Sequence, residues 1–193
     1  GFARAVENGF GIEMDLHVSK DGHLFIFHDD TLKRMCGVEG SIESHTYDEL
    51  KQFRLNGTDE TIPTFDEFLD VVQGKVPLII ELKGTTQDTT VCVKTEERLR
   101  SYNGPFCIES FNPFYVAWWK KHRPDVIRGI LSCTMDASAG GVFRQFVLTN
   151  MLLNVLCRPN FLAYQVESRH NLAFRLGVKM GGIPVAWTVR TED

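Results

Sequence analysis

The stretch that decides the fold is Gly11-Ile12-Glu13-Met14-Asp15-Leu16-His17, near the start of a chain of 193 residues. Side chains alternate between the two faces of a β-strand, so Glu13, Asp15 and His17 share one face and the apolar residues share the other. The pattern predicts a strand that packs its apolar face on a core and carries acidic groups on its other face.

Short apolar strands alternate with helical patterns along the rest of the chain, an order that is typical of βα units with a parallel sheet. Strands are predicted at residues 11–17, 24–28, 78–83, 106–110, 127–131, 161–166 and 185–189. Helices are predicted at residues 65–73, 90–102, 113–122, 143–157 and 170–177. Seven strands fit either a doubly wound open sheet or a (β/α)₈ barrel that lacks one strand, and the pattern alone favours the barrel only slightly.

Charged residues also stand at the ends of two other apolar runs. Leu24-Phe25-Ile26-Phe27 leads directly into His28-Asp29-Asp30, and Leu78-Ile79-Ile80 leads into Glu81-Leu82-Lys83. In a parallel barrel, helices cover the outer face, so the polar face of such a strand points inward near its C-terminal end, where barrel active sites form. We therefore expect these groups to meet the acidic face of residues 11–17 in one site.

Three carboxylates brought together in one site repel one another unless a cation neutralises them. Glu13, Asp15 and Glu81 would offer only oxygen ligands, and oxygen ligands select a hard ion such as Mg²⁺ or Ca²⁺ over zinc. Lys83 beside them would suit an anionic oxygen of a substrate. The sequence therefore predicts a metal site that receives an anion.

Each of these features also has a plain structural interpretation. The acidic face of residues 11–17 is consistent with an exposed edge strand, and Glu81 with Lys83 is consistent with a surface ion pair. His28 before two aspartates is consistent with a turn or a helix cap, and for His17 we favour a structural role over a ligating one. The functional interpretation is preferred because all the charged groups fall at strand ends in one chain.

A long polar stretch, residues 30–62, separates the second predicted strand from the third. It is longer than a usual βα connection and predicts a small insertion over one mouth of the fold. Directly after it, Thr64 and Glu67 stand three residues apart before an apolar run. This spacing predicts a capping box at the start of the helix at residues 65–73.

Composition disfavours some classes of function. The chain has 21 basic and 25 acidic residues, a formal charge of −4 and no long basic run, so binding along a nucleic-acid backbone is not favoured. Its five cysteines are scattered and odd in number, which indicates reduced thiols in a cytoplasmic protein and neither a disulfide framework nor a zinc ribbon. They are Cys36, Cys92, Cys107, Cys133 and Cys157.

The most apolar stretch of the chain covers residues 143–157. It is too short to span a bilayer and suits a helix packed on a core, although it allows contact with a membrane surface. The chain opens in what resembles the end of a helix, closed by Gly9, and stops just after the strand-like run at residues 185–189. We therefore expect residues to be missing on both sides.

Six blocks of the sequence together resemble the glycerophosphodiester phosphodiesterase family, and they follow the family's order along nearly the whole chain. They are Gly11–Gly22, Phe27–Leu32, Ile62–Leu69, Ile80–Lys83, Glu109–Pro113 and Ala186–Val189. The resemblance implies a single domain over residues 1–193 with the (β/α)₈ TIM-barrel fold, whose first strand and last helix are missing from this chain. It also implies that residues 30–62 are the family's small insertion over the barrel mouth.

The same resemblance implies roles for the charged residues. Glu13, Asp15 and Glu81 would be the ligands of one divalent cation, Mg²⁺ or Ca²⁺. His28 would be one of two catalytic histidines. The family's first strand ends in His-Arg-Gly, followed by Glu-Asn-Thr, and neither motif occurs in this sequence. The partner histidine is therefore absent from these residues.

The resemblance further implies the substrate and how it would be bound. Lys83 would contact the phosphate, while Phe111 and Trp187 would line the pocket for the alcohol portions. The implied reaction is hydrolysis of a glycerophosphodiester to glycerol 3-phosphate and an alcohol, with histidine acid–base catalysis.

Two other functions remain compatible with the residues alone. A barrel enzyme that abstracts a proton beside a carboxylate also gathers three acids around Mg²⁺ with a lysine base, but it has no need of His28. A non-catalytic barrel could keep the metal pocket and only bind phosphodiesters or a partner.

Overall fold

A computed structural model of the chain describes residues 1–132, 154–166 and 171–189. They belong to two compact units, Gly1–Phe106 and Cys107–Asp193. None of the described helices is long and apolar enough to cross a membrane. The predicted helix at residues 143–157 lies outside the described residues, except for its last turn at Asn154–Cys157.

The first unit contains strands β1 to β3 and helices α1 to α5. The strands are β1 (Ile12–Val18), β2 (Leu24–Ile26) and β3 (Leu78–Leu82). The helices are α1 (Phe2–Glu7), α2 (Lys33–Cys36), α3 (Tyr47–Leu50), α4 (Phe65–Val72) and α5 (Thr90–Leu99), with a short 3₁₀ helix at Ile42–Ser44. The predicted strands and helices of this unit are confirmed to within a few residues, as is usual for element ends.

Strand β1 lies between its two partners in the first unit. It pairs in parallel with β3, and this pairing sets Asp15 directly opposite Glu81. It pairs antiparallel with β2, with Leu16 opposite Ile26. The prediction that residues 24–28 form a parallel barrel strand was therefore wrong, because a turn of only five residues between the two strands closes a hairpin and a parallel crossover needs a dozen or more.

The segment at residues 30–62 builds an apolar cluster of its own against β2. The buried members are Phe25, Phe27, Leu32, Ile42, Leu50 and Ile62, and Met35, Cys36, Val38, Tyr47, Phe53 and Leu55 pack around them. After this segment, the predicted capping box is confirmed at the start of α4. The Glu67 amide donates to Thr64 Oγ1 at 3.1 Å, and the Thr64 amide donates to Glu67 Oε2 at 2.8 Å.

The second unit contains strands β4 to β7, which neighbour one another in chain order, and the pairs from β4 to β7 are parallel. The strands are β4 (Phe106–Ser110), β5 (Arg128–Ser132), β6 (Phe161–Gln165) and β7 (Ile183–Trp187). The helices among the described residues of this unit are α6 (Pro113–His122), α7 (Asn154–Cys157) and α8 (Leu172–Lys179). The parallel strands and the helices between them agree with the predicted βα units.

Both faces of the β5–β6 pair are covered by apolar side chains, as is usual for parallel strands in the middle of a sheet. Ile130, Leu162 and Tyr164 pack with Val116 of α6 and Cys157 of α7 on one face. Leu131, Phe161 and Ala163 cluster on the other face, where Phe111 and Trp187 pack against them. Apolar residues next to each other in sequence therefore serve opposite faces of the sheet.

Gly129 on β5 is expected to tolerate no side chain. It lies opposite Phe161 on β6, and a Cβ at residue 129 would overlap the Phe161 ring. We expect Gly129→Ala to lower the free energy of unfolding by about 1–3 kcal/mol, the usual cost of overpacking a tight core. Chemical denaturation measures this change.

The matched control for this prediction replaces the Phe161 ring, which lies against Gly129, with a smaller side chain. In a Phe161→Leu background, Gly129→Ala should cost clearly less than it does in the unmodified protein, because the two nearest overlapping ring atoms, Cε2 and Cζ, are gone. Equal costs in the two backgrounds, or no cost in either, would contradict the proposed fit.

Candidate metal and phosphate site

Two carboxylates face each other across the β1–β3 pair in the first unit, and a third stands beside them. Asp15 and Glu81 lie opposite in the parallel register, and Glu13 is two residues before Asp15 on the same face of β1. Glu13, Asp15 and Glu81 each offer an oxygen within 4.8 Å of the others. Asp15 and Glu81 are only 8% and 6% exposed, whereas Glu13 keeps its contact with solvent.

Lys83 joins the two buried carboxylates. Its Nζ lies 2.9 Å from Asp15 Oδ1 and 2.9 Å from Glu81 Oε1. Its amide donates to the Leu16 carbonyl at 2.9 Å, which continues the β1–β3 ladder by one residue and fixes the stem of the side chain. The structure thus brings together the three predicted acidic residues and the predicted lysine.

Burial, the neighbouring charges or both raise the pKa values of three groups in this cluster, Glu81, Glu13 and Lys83. Burial raises the pKa of Glu81 to about 8, against the opposing effect of Lys83. Desolvation by the surrounding protein, followed by the charge of Asp15, raises the pKa of Glu13. Burial alone would lower the pKa of Lys83, but the two carboxylates outweigh it and the pKa is raised. When all three carboxylates are ionised, they and the Lys83 ammonium carry two net negative charges, which one divalent cation would neutralise.

His28 follows β2 and lies at the exposed rim of the same unit. The Phe27 amide donates to the Asp15 carbonyl at 3.0 Å, so the backbone next to His28 is held against β1. The His28 side chain is 78% exposed, and its Nδ1 lies 2.9 Å from Asp29 Oδ1. Burial and the charge of Asp15 raise the pKa of Glu13, and a positive charge on His28 opposes this rise. The ring is therefore within electrostatic reach of the acidic group.

Sequence reasoning missed the environment of Asp29. Arg34 of α2 donates to both oxygens of this carboxylate, from Nε to Oδ2 at 2.6 Å and from Nη2 to Oδ1 at 2.7 Å. The bond from Arg34, followed by that from His28, lowers the pKa of Asp29 to about 2. A charge pair five residues apart at the start of a loop carries no periodic signal, so only the structure reveals it. We call this two-point contact between Arg34 and Asp29 the clamp.

His17, the third residue on the polar face of β1, pairs with Glu43 and is not a member of the acidic group. It is 3% exposed, and its Nδ1 lies 2.7 Å from Oε1 of Glu43 in the 3₁₀ helix. Its Nε2 is buried and has no hydrogen-bond partner among the described residues. The contact ties β1 to the segment at residues 30–62, which agrees with the structural role favoured from the sequence.

Phe111 and Trp187, the two predicted pocket residues, contact each other within the second unit. Their ring centroids are 5.8 Å apart and the rings are nearly perpendicular, an edge-to-face arrangement that aromatic pairs prefer. The Trp187 Nε1 is buried and has no hydrogen-bond partner in the described part of the chain. A buried indole N–H without a partner is a donor whose hydrogen bond is not satisfied by these residues.

Comparison with known proteins defines the class to which this fold and these residues belong. The chain superposes over 99% of its length on a phosphodiesterase of Oleispira antarctica, solved in complex with its product sn-glycerol-3-phosphate, with a TM-score of 0.79 and 24% identity. This chain covers 78% of that structure. The likeness shows the fold, which is the (β/α)₈ TIM barrel of these proteins.

The family follows from the sequence comparison. The model of the glycerophosphoryl diester phosphodiesterase family matches residues 1–193, and the chain belongs to this family. The glycerophosphodiester phosphodiesterase of Caldanaerobacter subterraneus subsp. tengcongensis is 33% identical over 141 residues, 67% of this chain. That of Bacillus altitudinis is 29% identical over 147 residues, 70% of this chain. The matched regions span only 58% and 59% of these two relatives.

Proposed function

We propose that this chain forms the greater part of a metal-dependent phosphodiesterase that hydrolyses glycerophosphodiesters to glycerol 3-phosphate and an alcohol. The observation that carries the proposal is the group formed by Glu13, Asp15, Glu81 and Lys83. Relatives named for this activity and a neighbour solved with the product support it. We also propose that residues 1–193 act as one barrel domain with residues 30–62 over its mouth.

The three carboxylates fit a hard divalent cation, Mg²⁺ or Ca²⁺. Oxygens that bind one such ion at about 2.0–2.6 Å lie no more than about 5 Å apart, and those of Glu13, Asp15 and Glu81 fall within 4.8 Å of one another. When bound, the cation would supply Lewis-acid stabilisation of the charge that develops on the phosphate. Without a bound cation, the positive charge that Asp15 and Glu81 contact is that of Lys83.

Lys83 and His28 would carry the remaining chemistry. The Lys83 ammonium, held by two carboxylates, can donate its remaining hydrogen to a non-bridging phosphate oxygen. An alkoxide is a poor leaving group near neutral pH, so a group must protonate it, and another must accept the proton of the nucleophile. His28, with an exposed ring at the rim, would perform one of these transfers.

Phe111 and Trp187 would bind the less polar portion of the substrate. Their edge-to-face pair presents an apolar surface that suits this portion. We also propose a cytoplasmic location, which suits the scattered and odd-numbered cysteines of the sequence.

The activity is tested by assaying full-length protein with water-soluble glycerophosphodiesters and with lysophospholipids, and by following glycerol 3-phosphate. We expect release of glycerol 3-phosphate that is abolished by a chelator and restored by Mg²⁺ or Ca²⁺. The cation that restores more activity identifies the one used. Retained phosphodiester binding without product in either cation would instead support the non-catalytic alternative.

A further inference from the structure

We infer that Asp29, clamped by Arg34, holds the ring of His28 in one orientation and tautomer, so that both residues position the histidine for proton transfer. The inference rests on the proposed function, in which His28 acts as acid or base. Because Arg34 belongs to the segment at residues 30–62, the inference also gives that segment a role in positioning His28.

The His28 ring has few constraints apart from Asp29. At 78% exposure, the side chain would exchange rotamers freely in water. The 2.9 Å contact between Nδ1 and Asp29 Oδ1 restricts that motion. A carboxylate accepts hydrogen bonds and donates none when ionised, so it stabilises the tautomer that carries its proton on Nδ1. The neutral ring then has Nε2 free to accept a proton, and the charged ring can return it from the same atom.

Arg34 in turn fixes Asp29. The guanidinium contacts both carboxylate oxygens, at 2.6 Å and 2.7 Å, and a two-point contact of this kind sets the plane of the carboxylate as well as its position. A single contact from a lysine would leave the carboxylate free to rotate. The ionised state of Asp29 is also secured, because Arg34 keeps the pKa of this carboxyl near 2.

The clamp is anchored in the apolar cluster of residues 30–62. Phe27 and Leu32, on either side of the loop that carries His28 and Asp29, are both buried in this cluster. Met35 and Cys36, the two residues that follow Arg34 in α2, pack against it. The Leu32 amide also donates to the Gly40 carbonyl at 2.9 Å. The loop is therefore held at both ends, and the helix that supplies Arg34 is seated on the same core.

An alternative is that Asp29 and Arg34 form an ordinary surface ion pair that only supports α2. Such pairs contribute little to stability when exposed, and Arg34 is 66% exposed. The two interpretations differ in what happens when His28 is removed. A positioning residue acts through the histidine, whereas a structural ion pair does not need it.

The test uses full-length protein with Asp29→Asn, which keeps the shape of the side chain and removes its charge. We expect kcat for a glycerophosphodiester to fall by about 10- to 100-fold with little change in KM, since the partner of a functional histidine typically has effects of this size. Arg34→Gln should lower kcat in the same direction by less. Glu39→Gln is the matched control, because it breaks the Lys33–Glu39 ion pair of the same segment without touching Asp29.

A double-mutant cycle decides between the two interpretations. If Asp29 acts through the ring, Asp29→Asn should cause no further loss of kcat in a His28→Ala background. Equal losses in both backgrounds, or a near-normal Asp29→Asn enzyme beside a slow His28→Ala enzyme, would overturn the inference alone. A near-normal His28→Ala enzyme would overturn the proposed role of His28 and the inference with it.

Discussion

Replacement of His28 by alanine is expected to slow turnover of a glycerophosphodiester by about 10²–10⁴-fold, the usual contribution of a positioned acid or base. The side chain is largely exposed, so its loss leaves no cavity in the core. Cation binding should also persist, because Glu13, Asp15 and Glu81 are unchanged. Steady-state kinetics on full-length protein measure the effect.

His23→Ala is a suitable control for this substitution. His23 belongs to the same unit, is also well exposed, and lies 3.4 Å from a neighbouring carboxylate, that of Asp21. It has no place in the proposed chemistry, and we expect its removal to leave kcat within about twofold of the unmodified protein. Near-normal turnover by His28→Ala would remove His28 from the mechanism.

Replacement of Glu81 by glutamine should weaken cation binding by about 10- to 100-fold, because the affinity of an oxygen site depends on the number of charged ligands. The amide keeps one oxygen acceptor and nearly the same volume, so β3 should keep its packing. Asp15 still neutralises Lys83 at 2.9 Å. Calorimetric titration with Mg²⁺ and Ca²⁺ measures the affinity, and activity should require correspondingly more cation.

Glu97→Gln provides the comparison for the Glu81 substitution. Glu97 is an exposed glutamate of the same unit, paired with Lys94 at 3.2 Å. Its amide variant should bind the cation as the unmodified protein does. If Glu81→Gln bound cations equally well, or if activity were indifferent to chelators, the assignment of Glu81 as a ligand would be untenable.

The acidic group could be predicted from the sequence because two regular features determine it. Strand periodicity sets Glu13 and Asp15 on one face, and parallel pairing of consecutive βα units brings Glu81 alongside. Both features leave a repeating trace in the sequence. The roles of His28, Phe111 and Trp187 came from the family resemblance, and all the residue roles remain proposals.

Other parts of the structure left no such trace. The apolar residues of β2 carry no information on its direction, which only the short connection to β1, too short for a parallel crossover, indicates. The contact of His17 with Glu43 joins residues 26 positions apart through an irregular segment. Arg34 reaches Asp29 only because a local cluster of apolar residues folds α2 back against β2.

Asp15 lies opposite Glu81 because β1 and β3 are aligned in one particular way, so the proposed metal site depends on that alignment. If β3 slipped by a single residue against β1, the backbone ladder could re-form, yet Glu81 and Lys83 would turn to the opposite side of the sheet. A change that shifts the alignment by one position would therefore disperse the charges in an otherwise intact protein.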